Sequence, residues 1–483
     1  MAKRVASRVK PELPGGFNDY DPSAMVARRG MLETIARAFE RYGFVPLDTP
    51  AVEFEDVLLG ESGETEKQVF RLRSASEGAE GTRRLALRFD LTVPLSRYVA
   101  GSGDMVFPFR RYQVGDVFRG ERPQAGRYRQ FKQFDADVVG ARSLLADAEV
   151  IAAMHASLLD LGVSRFKLRL NHRQILSGLA ATLGLEARGE CSVDELTAQL
   201  IRILDKLDGL GIEGVQAELT RAPRDPADPA PALGPPAIKR VRRYLELVDD
   251  TESPPFEEAL AQPERRQRSN RLVLDRLREL LAGDETAAEG IAALDEILSH
   301  LDALGVQMGR VQLDPSIARG LDYYTGVVLE TELCDLPEMG SVMSGGRYDN
   351  LVSRFTATPL PAVGASIGLD RLFAALTKLG MIPESATPIH VLVMVMDQDE
   401  IGDSLQLAQR LRAAGFSTDL YCGAERSFKA QMRYALRKGI RFLAIRGSDE
   451  RAAGTVQLKD LERRHQVPVP LAQVEEALRN MVD

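Results

Sequence analysis

At 483 residues the chain is too long for one ordinary domain and long enough for two to four, and 44% hydrophobic with 27% charged residues is the make-up of a soluble globular protein. A net charge of −8 argues against indiscriminate nucleic-acid binding, while local basic patches stay open. Three scattered cysteines (Cys191, Cys334, Cys422) and five scattered histidines exclude a disulfide framework and a recognisable zinc cluster, so no metal ligand is assigned.

The N-terminal MAKRVASRVKPELPGG is basic but lacks a following apolar segment, so no secretory signal is expected there. No run approaches membrane-spanning length, and the cytoplasm is the expected location. After the turn LPGGFND, apolar residues at helical spacing (Met25, Met31, Leu32, Ile35, Phe39) predict a helix over Ser23 to Tyr42. FVPLDTP, Phe44 to Pro50, reads as extended, and its two prolines confine it to a sheet edge or to a seam covered by a second chain. Leu85 to Ala100 predicts an alternating strand passing through Pro94 into a helix, with Arg88, Asp90 and Thr92 on one strand face.

Phe109 to Gly140 is the densest stretch. Seven basic side chains stand between Arg110 and Lys132 against only Asp116 and Glu121, a local excess of 7 − 2 = +5 that opposes the global charge. Its flanks alternate as strands, and Arg119 to Tyr128, with Gly120, Pro123 and Gly126, reads as a long hairpin loop. Gln133 and Asp137 point the same way, as do Gly115 and Arg119 if no bulge intervenes, and Gln133, Asp135 and Asp137 break a face that would otherwise be apolar. An arginine, an amide and a carboxylate on paired strands suit a small ligand carrying both anionic and cationic groups; a solvated basic hairpin is the plainer alternative.

A helix is predicted over Ser143 to Leu161 and a short strand over Phe166 to Leu170. Ile175 to Leu219 and Lys239 to Leu304 read as mainly helical, broken by Arg221 to Pro236, whose 6 of the chain's 25 prolines predict a flexible or extended linker. Strand character returns at Val311 to Asp314 and Tyr323 to Leu329; Ser344 to Leu351, SGGRYDNL, follows with an arginine near glycine, and Ala362 to Phe373 reads as a strand running through Gly364 and Gly368 into a helix. From Thr387 a separate α/β unit is predicted, with strands at 389–396, 417–422, 441–445 and 455–460, helices at 401–414 and 428–438, and a closing helix. Between Arg426 and Arg446 it holds seven basic residues and no acid, which reads as a face for a polyanion.

Taken together, FRGERPQAGRYRQFKQFDAD, GASIGLDRL, the proline-bearing segment ending at Pro50, ARGLDYYTG and SGGRYD resemble the histidine-tRNA ligase family of class II aminoacyl-tRNA synthetases over essentially the whole length. The first three look like class motifs 2, 3 and 1, and the last two like histidine-specific signatures. The resemblance implies an α+β fold: an antiparallel catalytic sheet in residues 1–174 and 305–384, interrupted by a mostly helical insertion at 175–304, and an α/β anticodon-binding domain at 387–483. It implies ATP-dependent attachment of L-histidine to tRNA(His) through histidyl-adenylate, with Mg²⁺ on the phosphates, and a homodimer seamed by motif 1.

Residue by residue, the resemblance assigns Arg119 and Arg319 to the α-phosphate and Arg371 to the triphosphate. Asp90, Thr92 and Gln133 match the holders of the substrate ammonium; Asp137 and Tyr324, with Tyr323 beside it, match those of the imidazole. Arg122 and Gln124 would face the acceptor stem, including any extra 5′ guanosine. Asp90-Leu91-Thr92 stands where many bacterial relatives have Glu-Gly-Thr, and Asp137 is likewise a shorter acid; both resemble the family's other large branch. The rivals are a catalytically silent histidine-binding regulatory subunit of histidine biosynthesis, or a sensor of uncharged tRNA. Both are disfavoured by the retained arginines, and the regulatory subunit also by residues 387–483.

Overall fold

The computed structural model describes residues 9–59, 69–73, 83–121, 128–247, 253–318, 324–356, 358–382, 387–396 and 401–482. It divides the chain into two units, one of residues 1–18 and 31–379, the other of 19–30 and 380–483. In chain order, the helix α1 (Pro22–Glu40) precedes strand β1 (Val45–Pro46), β2 (Val52–Phe54), helix α2 (Glu55–Leu58), β3 (Phe70–Leu72), β4 (Leu85–Leu87) and α3 (Thr92–Gly101). Then come β5 (Phe109–Phe118), β6 (Gln130–Val139), α4 (Leu145–Asp160), β7 (Phe166–His172), α5 (Arg173–Ala181), α6 (Val193–Leu204), α7 (Leu207–Thr220), α8 (Pro235–Leu245), α9 (Phe256–Ala261), α10 (Pro263–Leu280) and α11 (Glu285–Ala303). The unit closes with β8 (Val311–Leu313), β9 (Val327–Leu333), β10 (Ser341–Tyr348), β11 (Ala362–Gly368) and α12 (Leu369–Lys378).

Eight of these strands form one sheet in the order β1-β5-β6-β11-β10-β9-β7-β8. It is antiparallel throughout, except that β1 joins β5 and β8 joins β7 in parallel at the two edges. Pro46 cannot donate to a second neighbour, and the edge place predicted for FVPLDTP is where β1 lies. A small antiparallel sheet, β2-β4-β3, stands apart. On one face of the large sheet the core is apolar: Phe134, fully buried, stacks on Tyr112 with ring centroids 5.1 Å apart and meets Phe39 at the same distance. The other face carries the polar stripe.

Local chemistry accounts for the helix starts. Ser192 accepts from Glu195 N, and Glu195 in turn accepts from Ser192 N, a reciprocal cap on α6. α3 begins at Thr92 because the Asp90 carboxylate accepts from Val93 N at 3.2 Å, and Pro94 lies in the first turn where no donor is needed. The strand predicted to run through Arg88, Asp90 and Thr92 therefore stops at Leu87, and the three do not share a strand face.

The 221–236 segment is not a free linker. Arg221 pairs with Asp228 at 2.7 Å, Ala230 is fully buried, Leu233 N donates to Leu219 O, and Pro235 and Pro236 open α8.

The second unit has the sheet β13-β12-β14-β15-β16 built from β12 (Val391–Val393), β13 (Thr418–Leu420), β14 (Phe442–Ile445), β15 (Thr455–Asp460) and β16 (His465–Pro470), with α13 (Ile401–Ala413), α14 (Phe428–Arg437), α15 (Ser448–Ala453) and α16 (Val474–Val482). β16 and α15 were not predicted; Pro468 and Pro470 mask a strand that survives because it is a sheet edge. The basic face is smaller than its sequence: Lys438 pairs with Asp419, Arg441 with Asp460 and Arg446 with Asp403, which leaves Lys429, Arg433 and Arg437 along the exposed side of α14. Among the described residues no helix is long and apolar enough to cross a membrane.

Candidate active site

The site grows from the β5–β6 register. Gly115 faces Gln133, Gln113 faces Asp135 and Arg111 faces Asp137, so alternation sends all six to one face. β11 pairs on the other side of β6, bringing Ser366 opposite Asp135 and Gly364 opposite Asp137. Arg111 is fully buried. Its Nη2 lies 2.7 Å from Asp137 Oδ2, and it donates to the carbonyls of Asp135 and Leu91, each at 3.1 Å. The second Asp137 oxygen accepts from the Tyr348 hydroxyl at 2.5 Å. A Cβ at Gly364 would overlap Asp137 Oδ1, so glycine there makes room for the carboxylate.

Beside this clamp, Gln133 Nε2 donates to Ser366 Oγ at 2.8 Å, which leaves Gln133 Oε1 as the acceptor end. Oε1 is buried without a hydrogen-bond partner among the described residues, and so is Asp135 Oδ1. The electrostatics are strained accordingly. Burial pushes Asp135 up to about 7; Arg111 opposes the rise, while Asp137 and Asp90 add to it. Burial likewise lifts Asp90 to about 6 against Arg119, Arg111 and Arg354, and raises Asp137 against Arg111 and the Tyr348 hydrogen bond.

The predicted residues that the structure describes converge here. Asp90 and Thr92 lie half-buried at the start of α3, and Gln133 and Asp137 lie on β6. Arg119 follows β5 directly. Its Nε donates to Phe89 O at 3.2 Å and its guanidinium lies 5.0 Å from the centre of the Phe131 ring, leaving further N–H groups to donate. Arg371 is in the first turn of α12, its Nη1 on Ser341 O at 2.7 Å, and the neighbouring Asp370 ties that helix to β6 by accepting from Lys132 N at 2.6 Å. Tyr324 leans on β10 at Gly346, where a Cβ would crowd its ring at 3.0 Å. Arg122, Gln124, Arg319 and Tyr323 lie outside the described residues.

Sequence reasoning missed three members. Arg111 was counted only in the charge excess, Tyr348 is 211 positions from the carboxylate it holds, and Ser366 sits inside a motif read for its glycines. Arg347 in SGGRYD is structural: it pairs with buried Asp147 of α4 through Nε and Nη2, and its Nη1 donates to Ala141 O at 2.9 Å. Among the described residues no group of three or more His, Cys, Asp or Glu side chains could hold a metal ion. Buried acceptors on one strand, a clamped carboxylate beside them and guanidiniums at the margins suit a small molecule with a cationic end, a ring N–H and an anionic end.

A family model described as histidyl-tRNA synthetase matches residues 16–372, and one described as an anticodon binding domain matches 390–481. The histidine–tRNA ligase of Xanthomonas campestris pv. campestris (strain 8004) is 43% identical over 478 residues, covering 95% of this chain and 94% of its own. That of Xylella fastidiosa (strain M23) is 41% identical over 483 residues, covering 98% of each. The crystal structure of histidyl-tRNA synthetase from Nostoc sp. PCC 7120 superposes with a TM-score of 0.80 at 33% identity, covering 98% of this chain and all of that one.

Proposed function

The chain belongs to the histidyl-tRNA synthetase family, and from that premise we propose how its residues divide the work. It attaches L-histidine to tRNA(His) in two steps: the histidine carboxylate attacks the α-phosphorus of ATP, forming histidyl-adenylate and releasing pyrophosphate, and a ribose hydroxyl of the tRNA's terminal adenosine then takes the histidyl group and releases AMP. No general base is needed in the first step, because the nucleophile is already a carboxylate.

Charge grows on the α-phosphate during attack, and Arg119 and Arg319 stabilise it as fixed guanidiniums; Arg371 receives the triphosphate. Mg²⁺ comes with ATP as part of the substrate and neutralises the departing pyrophosphate. Asp90, Thr92 and Gln133 receive the ammonium. Asp137, with Tyr323 and Tyr324, reads the imidazole, and a site that hydrogen-bonds each ring nitrogen rejects isosteres lacking them. Arg122 and Gln124 meet the acceptor stem, and residues 387–483 read the anticodon, with Lys429, Arg433 and Arg437 offering charge to its phosphates.

The observation that carries this division is the buried row Gln133–Asp135–Asp137, whose open acceptors are wasted in a protein without a cationic, ring-bearing ligand. The regulatory-subunit reading is not favoured, because the chain matches the anticodon model as well as the catalytic one and retains the arginines Arg119 and Arg371. We further assign catalysis to residues 1–174 and 305–384, a homodimer across the β1 edge, where Val45 is half exposed, and residence in the cytoplasm with its tRNA. Histidine-dependent exchange of pyrophosphate into ATP, followed by charging of a tRNA pool with histidine against the other amino acids, tests the reading; folded protein that binds histidine but supports no exchange would overturn it.

A further inference from the structure

We propose that Asp135 is an additional histidine-binding residue, its open Oδ1 receiving the substrate ammonium together with Gln133 Oε1 and the Asp90 carboxylate. Asp135 lies within the motif 2 string but has no role among the assignments above, and the proposal rests on the histidine-activating function above.

The placement is set by the sheet. Asp135 lies between Gln133 and Asp137 on the polar face of β6, with Gln113 opposite on β5 and Ser366 opposite on β11. Gln113 is already engaged, its Nε2 donating to Asp48 Oδ1 at 2.9 Å and Thr49 Oγ1 at 3.0 Å, so it has no donor to spare for Asp135. Ser366, opposite Asp135 on β11, accepts from Gln133 Nε2. With the Gln133 nitrogen engaged, Gln133 Oε1 and Asp135 Oδ1 are acceptors without a hydrogen-bond partner among the described residues, both on residues more than nine-tenths buried.

Charge balance points the same way. Asp90, Asp135 and Asp137 share this region with two buried guanidiniums, Arg111 and Arg88. Arg111 spends its charge on Asp137. Arg88 donates to Thr49 O and Asp116 O and acts on Asp135 only through space. Asp135 therefore keeps a buried carboxylate with no ion-pair partner among the described residues, a costly arrangement unless a ligand cation completes it. An ammonium has three donors in a fan, and Gln133 Oε1, Asp135 Oδ1 and Asp90 supply three acceptors. Burial raises the proton affinity of Asp90 and of Asp135, and a ligand cation beside them would lower it.

The test compares two probes by calorimetry at pH 8 on the full-length wild type and the near-isosteric Asp135→Asn. One probe is L-histidine, the other 3-(imidazol-4-yl)propanoate, which is histidine without its ammonium. The expected result is a loss of about 10- to 100-fold in histidine affinity, the scale of one charge-assisted contact, with the propanoate held to within about twofold and KM for ATP unchanged in exchange assays. Asp135→Ser repeats the comparison should the Asn variant not fold. Histidine affinity within about twofold of wild type, or an equal loss for both probes, would overturn the proposal. Failure of the wild type to exchange pyrophosphate would instead sink the synthetase reading, and the binding comparison would still stand or fall by itself.

Discussion

Arg111→Met removes a buried guanidinium while keeping the length and most of the volume of the side chain. Both members of its pair with Asp137 are under 5% exposed, so neither charge can turn to water when the other goes. Deleting one partner of such a pair costs about 3–5 kcal/mol, because the survivor stays buried and unpaired. The variant should therefore unfold at markedly lower urea in the transition of the unit that holds the large sheet. A chain of two units need not unfold in one step, so the readout is that midpoint by far-ultraviolet circular dichroism rather than a global free energy. The sign with pH follows. Burial already raises Asp137, and loss of Arg111 raises it further, so the destabilisation is full where Asp137 must be charged and shrinks as pH falls and the folded state takes up the proton. Arg111→Met/Asp137→Asn should recover most of the stability, since an amide needs no counter-charge, but not histidine recognition. A single variant with a wild-type midpoint, or a double variant no more stable than the single one, would refute the reasoning.

Arg119→Ala should lower the exchange rate by about 10²–10³ with the unfolding midpoint little changed, because the role proposed for its guanidinium is on charge that appears only during attack. Gly364→Ala should raise KM for histidine and cost about 1–3 kcal/mol, since the added methyl displaces Asp137 Oδ1; urea unfolding and exchange kinetics read the two effects separately. Asp90, held up at about 6, is charged above that pH and neutral below it, so the ratio of wild-type to Asp90→Asn histidine affinity should narrow as pH falls through about 6 in a calorimetric titration, with the substrate's own titration cancelling in the ratio. Sedimentation at micromolar concentration should give twice the 53.1 kDa of the chain; an active monomer would remove the proposed seam.

Much of this fold is legible in the sequence. Strong alternation around a glycine-bearing loop marked both strands of the hairpin, and Gly364 and Gly368 marked the passage from β11 into α12. What was hidden depended on partners remote in the chain. Arg111 looks like any other arginine in a basic stretch until the register sets Asp137 opposite it. Lys438, Arg441 and Arg446 look like open charges until Asp419, Asp460 and Asp403 fold beside them. Prolines at 223, 226, 229 and 231 signal a chain that avoids helix and sheet, which differs from a chain that is free; the Arg221–Asp228 pair holds this one in place.

The parallel pairing of β7 with β8 has a consequence for anyone wishing to shorten this protein. Neighbouring parallel strands cannot be joined by a tight turn, because the chain must travel back along the sheet before it can run alongside itself, a crossover of a dozen residues or more. α11, which leads back towards β8, is the natural return path, so pruning should spare it. Nor can the remainder be cut freely. From α8, the buried Tyr244 hydroxyl donates to Pro315 O at 2.9 Å, and Asn171 of β7 donates to Pro315 O and Ile317 O, at the root of the segment leading to Arg319. A minimised enzyme that discards α8 needs a substitute for that one phenol, or it gives up a hydrogen bond that holds the Pro315–Ile317 turn against β7.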